Sequence, residues 1–323
     1  MTPTNTHHKA LDRYLGCLVG LAAGDALGTT LEFRNPGSFE PIDDIIGGGP
    51  FSLEPGQWTD DTSMAMCLSK SLLVKSGFDP LDQCERYLDW MKNGHLSSNG
   101  SCFDIGSTVS RALRDFQSSR NPFSGPAGKY DAGNGSIMRL APVPMFYSQD
   151  PERAIHLSGE SSRTTHQTIT CIDACRYMGG ILVALLNGEN KEAVLSSRFH
   201  PISGAWTEAD LCDEIAAIAE GSFKTKQPPA ICGSGYVVQS LEAALWAFHH
   251  TTNFRDGALL AVNLGNDADT TGAIYGQFAG ACYGIDGIPE EWRKKIAHLD
   301  LICDFATNLF DQSVATSSEN GKA

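Results

Sequence analysis

The chain has 323 residues, of which 41% are hydrophobic and 19% charged, enough apolar material for a folded core and too little charge for a disordered chain. Its 24 basic and 38 acidic side chains give a net charge of −14, which argues against general binding to nucleic-acid backbones but leaves room for a pocket made positive by metal ions. No continuous apolar run approaches the roughly 18 residues of a membrane span.

Met1 to Lys9 has no apolar signal core, and residues 1–10 are expected to be a disordered N-terminus preceding one domain over residues 11–312. Ten cysteines are scattered with no Cys-x-x-Cys pair, the pattern of reduced, mostly buried thiols in a cytoplasmic protein. Arg34 to Trp58 carries the run Gly47-Gly48-Gly49 and reads as a long loop, as does Ser118 to Gly135; loops of that length in a compact domain usually serve function. The remaining signals are helical. Gln167 to Leu186 reads as a long, mostly apolar helix. Spacings of three to four residues recur at Val238, Leu241, Leu245 and Phe248, at Ile274, Phe278 and Cys282, and from Trp292 to Phe310. Two-residue alternation is hard to find, so the expected fold is all-α, with a disordered tail over residues 313–323.

Two acidic clusters stand before helical runs. Thr59-Asp60-Asp61-Thr62 precedes Met64 to Val74, and Asn266-Asp267-Ala268-Asp269-Thr270-Thr271 precedes the helix of Ile274. Each alone could simply cap its helix, since Thr, Asp and Asn are favoured N-caps and acids suit the helix dipole. Together they offer four carboxylates and threonine hydroxyls, the hard oxygen ligands that Mg²⁺, Mn²⁺ or Ca²⁺ select, without the cysteine or histidine of a zinc site. If the two helix starts converge, two divalent ions would offset four negative charges.

Five segments in order, Gly24-Asp25-Ala26-Leu27-Gly28 with Glu32-Phe33, Trp58 to Thr62, Gly133-Asn134-Gly135-Ser136-Ile137-Met138-Arg139, Thr165-His166 and Asn266 to Gly272, resemble the ADP-ribosylglycohydrolase family over about Leu11 to Trp292. Cys102-Phe103-Asp104-Ile105-Gly106 and Ser234-Gly235-Tyr236 are most similar to its dinitrogenase reductase-activating glycohydrolase branch, although Ser107 stands where that branch has an asparagine. The resemblance implies an all-α fold with two Mg²⁺ or Mn²⁺ ions held by Thr59, Asp60, Asp61, Asp267, Asp269 and Thr270. It implies a diphosphate on the Gly133, Asn134, Gly135 and Ser136 loop, which from residues alone could be only a turn feeding a helix; free backbone N–H groups at a helix start suit either role. His166 would lie beside the phosphates, Tyr236 would stack on adenine, and Ser107 would border the substrate pocket.

The implied activity is hydrolysis of the N-glycosidic bond between ADP-ribose and arginine side chains of modified proteins, releasing ADP-ribose. Asp60 or Asp61 would hold the attacking water. Asp104 would act on the guanidinium leaving group, or else cap the following helix, and Glu32 would gate the site or act as a base. Asp25 is expected to be structural and Arg139 to pair with a carboxylate. Alternatives are hydrolysis of O-linked ADP-ribosylserine, a non-catalytic ADP-ribose reader or immunity protein, and, as an outsider, a metallophosphohydrolase. The expected partners are an ADP-ribosylated protein and ADP-ribose, with no membrane or general nucleic-acid binding, and the chain is expected to act as a monomer.

Overall fold

A computed structural model describes residues 3–207 and 209–320. Among these the helices, in chain order, are α1 (Pro3–Gly28), α2 (Asp60–Lys75), α3 (Pro80–Asn93), α4 (Ser107–Ser119), α5 (Pro142–Phe146), α6 (Pro151–Arg163) and α7 (Ile169–Leu186). They continue with α8 (Lys191–Val194), α9 (Asp213–Ala219), α10 (Val237–His250), α11 (Phe254–Val262), α12 (Ala268–Tyr283), α13 (Glu290–Arg293) and α14 (Leu299–Asn320). The only sheet among the described residues is a two-stranded antiparallel hairpin, β1 (Phe199–His200) with β2 (Gly204–Ala205), pairing Phe199 with Ala205 and His200 with Gly204. The chain is therefore all-α apart from that hairpin.

The axis of the fold is the antiparallel pair α1 and α12. Gly16, Gly20, Gly24 and Gly28 recur every fourth residue on one face of α1, opposite Gly280, Gly276, Gly272 and Ala268 of α12. A Cβ on Gly20 would lie 2.4 Å from the Gly276 carbonyl oxygen, and one on Gly28 would lie 2.3 Å from that of Ala268. Only hydrogens fit there, so the two backbones touch directly. The contact holds the N-terminus of α12 beside the C-terminal end of α1.

Asp25, one residue beyond Gly24, does the same for α2. Its Oδ1 accepts from the Thr59 N–H (2.9 Å) and hydroxyl (2.9 Å), and its Oδ2 from the Thr62 N–H (3.1 Å) and hydroxyl (2.6 Å). Both acidic clusters are thus carried by helix N-termini braced on α1. Asp25 is structural, as expected, and both its oxygens are occupied by these four donors.

Two features stand beside the sequence expectation. Two helical segments, His7–Leu31 and Ile169–Leu186, are long and apolar enough to cross a membrane, but 89% and 78% of their most apolar windows are buried in the protein, as in core helices. At the chain ends, α1 starts at Pro3 and α14 continues to Asn320, so helix covers part of each terminal segment. The two end helices pack on each other: the His7 and Tyr14 rings lie edge-on to Phe310, and the Tyr14 hydroxyl meets Ser313, which is fully buried.

Candidate metal centre and substrate cleft

The helix starts converge at the floor of a cleft of about 630 Å³. Asp60, Asp267, Asp269 and Thr270 line it, together with Glu32, Asp104 and Ser107. Thr59 and Asp61 lie behind them, fully buried. The Thr59 hydroxyl stands 3.2 Å from Asp61 Oδ2 and 3.5 Å from Asp269 Oδ2, and the Thr270 hydroxyl 3.4 Å from Asp61 Oδ2. Asp25, Asp61 and Asp269 each bring an oxygen within 4.8 Å of the others, as do Glu32, Asp104 and Asp269. Asp269 belongs to both groups and joins them.

The local geometry bears on the capping alternative. Thr59 occupies the N-cap position of α2 and Asp267 that of α12, yet neither side chain makes a capping hydrogen bond. Elsewhere in this chain Asp79, Asp150, Thr168, Asn190 and Asn253 do cap their helices. Asp104 lies two residues before the α4 N-cap, Gly106, in the left-handed region at φ +53°, and turns its carboxyl to the cleft. These side chains forgo the local bond that ordinarily stabilises a helix start by about 1 kcal/mol.

A cation fits this donor set. Asp61 Oδ1 and Glu32 Oε2 are buried without a hydrogen-bond partner, and a buried carboxylate oxygen left unpaired is costly. Burial, and then the neighbouring acids, push Asp60, Asp61 and Asp269 well above the usual carboxylate range. Burial and the nearby Asp104 push Glu32 up to about 9, and burial raises Asp104 to about 6. Among the described residues no lysine or arginine forms an ion pair with any of these acids. Oxygen donors with no internal counter-charge are the chemistry of a hard divalent-ion site.

The Gly133 to Ser136 loop forms one wall. The Asn134 side chain donates to Asp267 Oδ2 (2.6 Å) and its backbone N–H to Gly235 O (3.1 Å), while Asp267 N–H reaches Gly233 O (3.3 Å). Three distant segments are thereby tied together around the acids. Gly133, Asn134 and Gly135 line the cleft; Ser136 is buried and does not. Arg139 is buried too. It pairs with no carboxylate, contrary to expectation: it donates to the Gly135 carbonyl (2.6 Å) and the Thr165 hydroxyl (2.7 Å) and lies over the Tyr87 ring. Because C=O and N–H of a trans peptide point opposite ways, the Ser136 N–H is directed away from Arg139.

His166 underlies the loop. A Cβ on Gly135 would lie 2.9 Å from its Cε1 and one on Gly133 3.2 Å from its Nε2, so larger residues would displace the ring. Burial, helped by Arg139, lowers the His166 pKa to about 3, and the ring is neutral. Its Nδ1 contacts the Thr165 hydroxyl (2.9 Å), which already accepts from Arg139; this favours a proton on Nε2, the nitrogen nearest Gly133. Tyr236 pairs with Gly133 in an isolated bridge at the start of α10; it is 38% exposed and stands just outside the cleft, next to Ser234 and Gly235, which line it.

Sequence reasoning did not single out Phe33, Thr108, Met138 and Asn266 as lining residues. Asn266 carried a signal, since it adjoins the second cluster and occupies the left-handed region that asparagine tolerates.

An all-helical fold that brings two acidic helix starts beside a glycine-rich loop defines a class. The ADP-ribosylglycohydrolase family profile matches residues 6–319, and the chain belongs to that family. It is 40% identical over 302 residues to the ADP-ribosylarginine hydrolase Tri1 of Serratia proteamaculans, covering 94% of this chain and 80% of that protein. It is 32% identical to the ADP-ribosyl-dinitrogen reductase glycohydrolase of Rhodospirillum rubrum, covering 92% of each. A solved structure titled ADP-ribosylglycohydrolase-related protein complex superposes with a TM-score of 0.83 at 39% identity, covering 95% of this chain and 99% of that one.

Proposed function

We propose that this protein is a hydrolase that removes ADP-ribose from arginine side chains of modified proteins. The observation that carries the reading is the union of both acidic clusters with Glu32 and Asp104 in one cleft, bordered by the Gly133 to Gly135 loop. Relatives named for the arginine linkage support the choice of leaving group. Ten cysteines without a disulfide accord with a cytoplasmic location, where we take it to act as a monomer.

Thr59, Asp60, Asp61, Asp267, Asp269 and Thr270 would hold two divalent ions, Mg²⁺ or Mn²⁺. When bound, these supply positive charge against which ribose hydroxyls and water are oriented. The loop N–H groups and His166 would bind the diphosphate, and Tyr236 the adenine at the outer end.

The bond from C1″ to the guanidinium nitrogen breaks with its electron pair going to nitrogen, leaving a neutral guanidine and positive charge on the ribose. Water adds at C1″ and loses a proton to a carboxylate. Asp60 lines the cleft whereas Asp61 is enclosed behind it, so Asp60 is the better-placed base. Asp104, at the same edge as Glu32, orients the guanidine, and the proton taken by Asp60 passes through Asp104 to the guanidine nitrogen, restoring a guanidinium and leaving both carboxylates as they began.

The test is mass spectrometry of arginine-modified and serine-modified proteins after incubation with enzyme and Mg²⁺ or Mn²⁺. Unmodified arginine with intact ADP-ribose is the expected product. Release from serine alone, or of phosphate instead of ADP-ribose, would overturn the proposal.

A further inference from the structure

Three phenyl rings from separate segments form a strip beside the acids of the cleft. Phe33 follows Glu32, Phe103 precedes Asp104, and Phe51 lies in the loop with the glycine run. The ring centroids of Phe33 and Phe51 are 6.4 Å apart, and those of Phe51 and Phe103 5.3 Å. Among the described residues, none of the three packs into the hydrophobic core.

Phe33 is unusual twice over. Its ring is 66% exposed, and its backbone is left-handed at φ +60°. That region is a genuine outlier for a bulky residue. The conformation is imposed by two short backbone bonds, Phe33 N–H to Asn266 O (2.6 Å) and Asn266 N–H to Arg34 O (2.7 Å). The fold thus holds an apolar ring in water, in a costly conformation, on the wall of the cleft next to Glu32. Outliers of this kind cluster at ligand clamps.

We propose that this strip receives the arginine side of the substrate, with Phe33 against the guanidinium at the scissile bond and Phe51 and Phe103 beneath the residues that flank the modified arginine. A guanidinium is flat, delocalised and weakly hydrated, so it stacks on aromatic faces while pairing with carboxylates. Glu32 and Asp104 supply the carboxylates at this edge, and the net charge of −14 favours a cationic segment at longer range. A serine linkage has no flat cation to stack. The inference rests on the arginine reading given above.

The experiment compares wild type with Phe33→Ala, Phe33→Trp and Phe51→Ala. It measures kcat and KM on an arginine-ADP-ribosylated peptide and on ADP-ribosylarginine, and the calorimetric Kd of ADP-ribose. Phe33→Ala should raise KM on both arginine substrates about tenfold with little change in kcat, as loss of uniform stacking energy requires, and Phe33→Trp should restore it. Phe51→Ala should raise KM on the peptide alone. ADP-ribose affinity should hold within about twofold throughout, which also reports an intact fold. With an active wild type, an unchanged KM in Phe33→Ala, or an equal loss of ADP-ribose affinity, overturns the strip as an arginine site. A wild type inert on arginine linkages and active on serine overturns the arginine reading itself, and this inference with it.

Discussion

Gly24 of α1 and Gly272 of α12 touch backbone to backbone: a Cβ on Gly24 would lie 2.0 Å from the Gly272 carbonyl oxygen, and one on Gly272 would lie 2.3 Å from that of Gly24. The contact is adjacent in sequence to Asp25 on one side and Thr271 on the other, so it sets the spacing of the acidic floor. Gly24→Ala or Gly272→Ala should push the helices apart. Overpacking of this kind costs about 1–3 kcal/mol, to be measured by urea denaturation, and affinity for Mn²⁺ should fall although no ligand has been changed.

Asp104 offers a sharper division between chemistry and architecture. It makes no capping bond, and its carboxyl faces the cleft within reach of Glu32 and Asp269. Asp104→Asn keeps the shape and removes the proton transfer. Turnover on an arginine-linked substrate should drop by roughly 10²–10⁴-fold, while calorimetric ADP-ribose affinity is kept. Near-normal turnover would remove Asp104 from the reaction.

Much of this was legible before any coordinates. The five ordered segments pointed to one family, and helical periods marked α7, α10, α12 and α14, because both are local signals within one or two turns. The Gly16, Gly20, Gly24 and Gly28 ladder was equally visible as a spacing, yet it acquires meaning only beside Gly272, Gly276 and Gly280, some 250 residues away. Arg139 escaped for a related reason. A buried arginine ordinarily suggests a carboxylate partner, whereas here a carbonyl, a hydroxyl and a tyrosine face satisfy it. The strip of Phe33, Phe51 and Phe103 was hidden because three loops assemble it, and its signature is an exposure and a dihedral angle, which sequence does not print.

Tyr236 stands just outside the cleft, partly exposed and bridged to Gly133. Tyr236→Ala should leave the melting temperature nearly unchanged and weaken ADP-ribose binding about tenfold, since base–aromatic stacking is worth about 1–3 kcal/mol. Calorimetry with unaltered affinity would place adenine elsewhere.

His166 links stability to pH. Folding lowers its pKa from the ordinary 6.5 to about 3, so between those values the unfolded chain binds a proton that the folded chain does not. Its contribution is complete above pH 6.5 and is lost as pH falls toward 3, with a slope of up to about 1.4 kcal/mol per pH unit. Wild type should therefore lose stability from pH 6.5 to 4.5 more steeply than His166→Gln, followed by urea unfolding at each pH. Parallel curves would show that the ring is not held neutral by burial.

The most direct measurement concerns the acidic floor. Enzyme stripped by chelator is given Mg²⁺ or Mn²⁺, bound metal is counted by elemental mass spectrometry, and release of ADP-ribose from an arginine-modified protein is timed alongside Asp269→Asn. Asp269 belongs to both groups of acids, so its replacement should disrupt both at once. The stripped wild type should be inactive and recover on binding close to two ions per chain, the number that Thr59, Asp60, Asp61, Asp267, Asp269 and Thr270 are proposed to hold. The variant should bind less metal and recover no turnover. Full turnover by the stripped wild type, or a variant that recovers like wild type, would contradict a metal-dependent cleft built on Asp269.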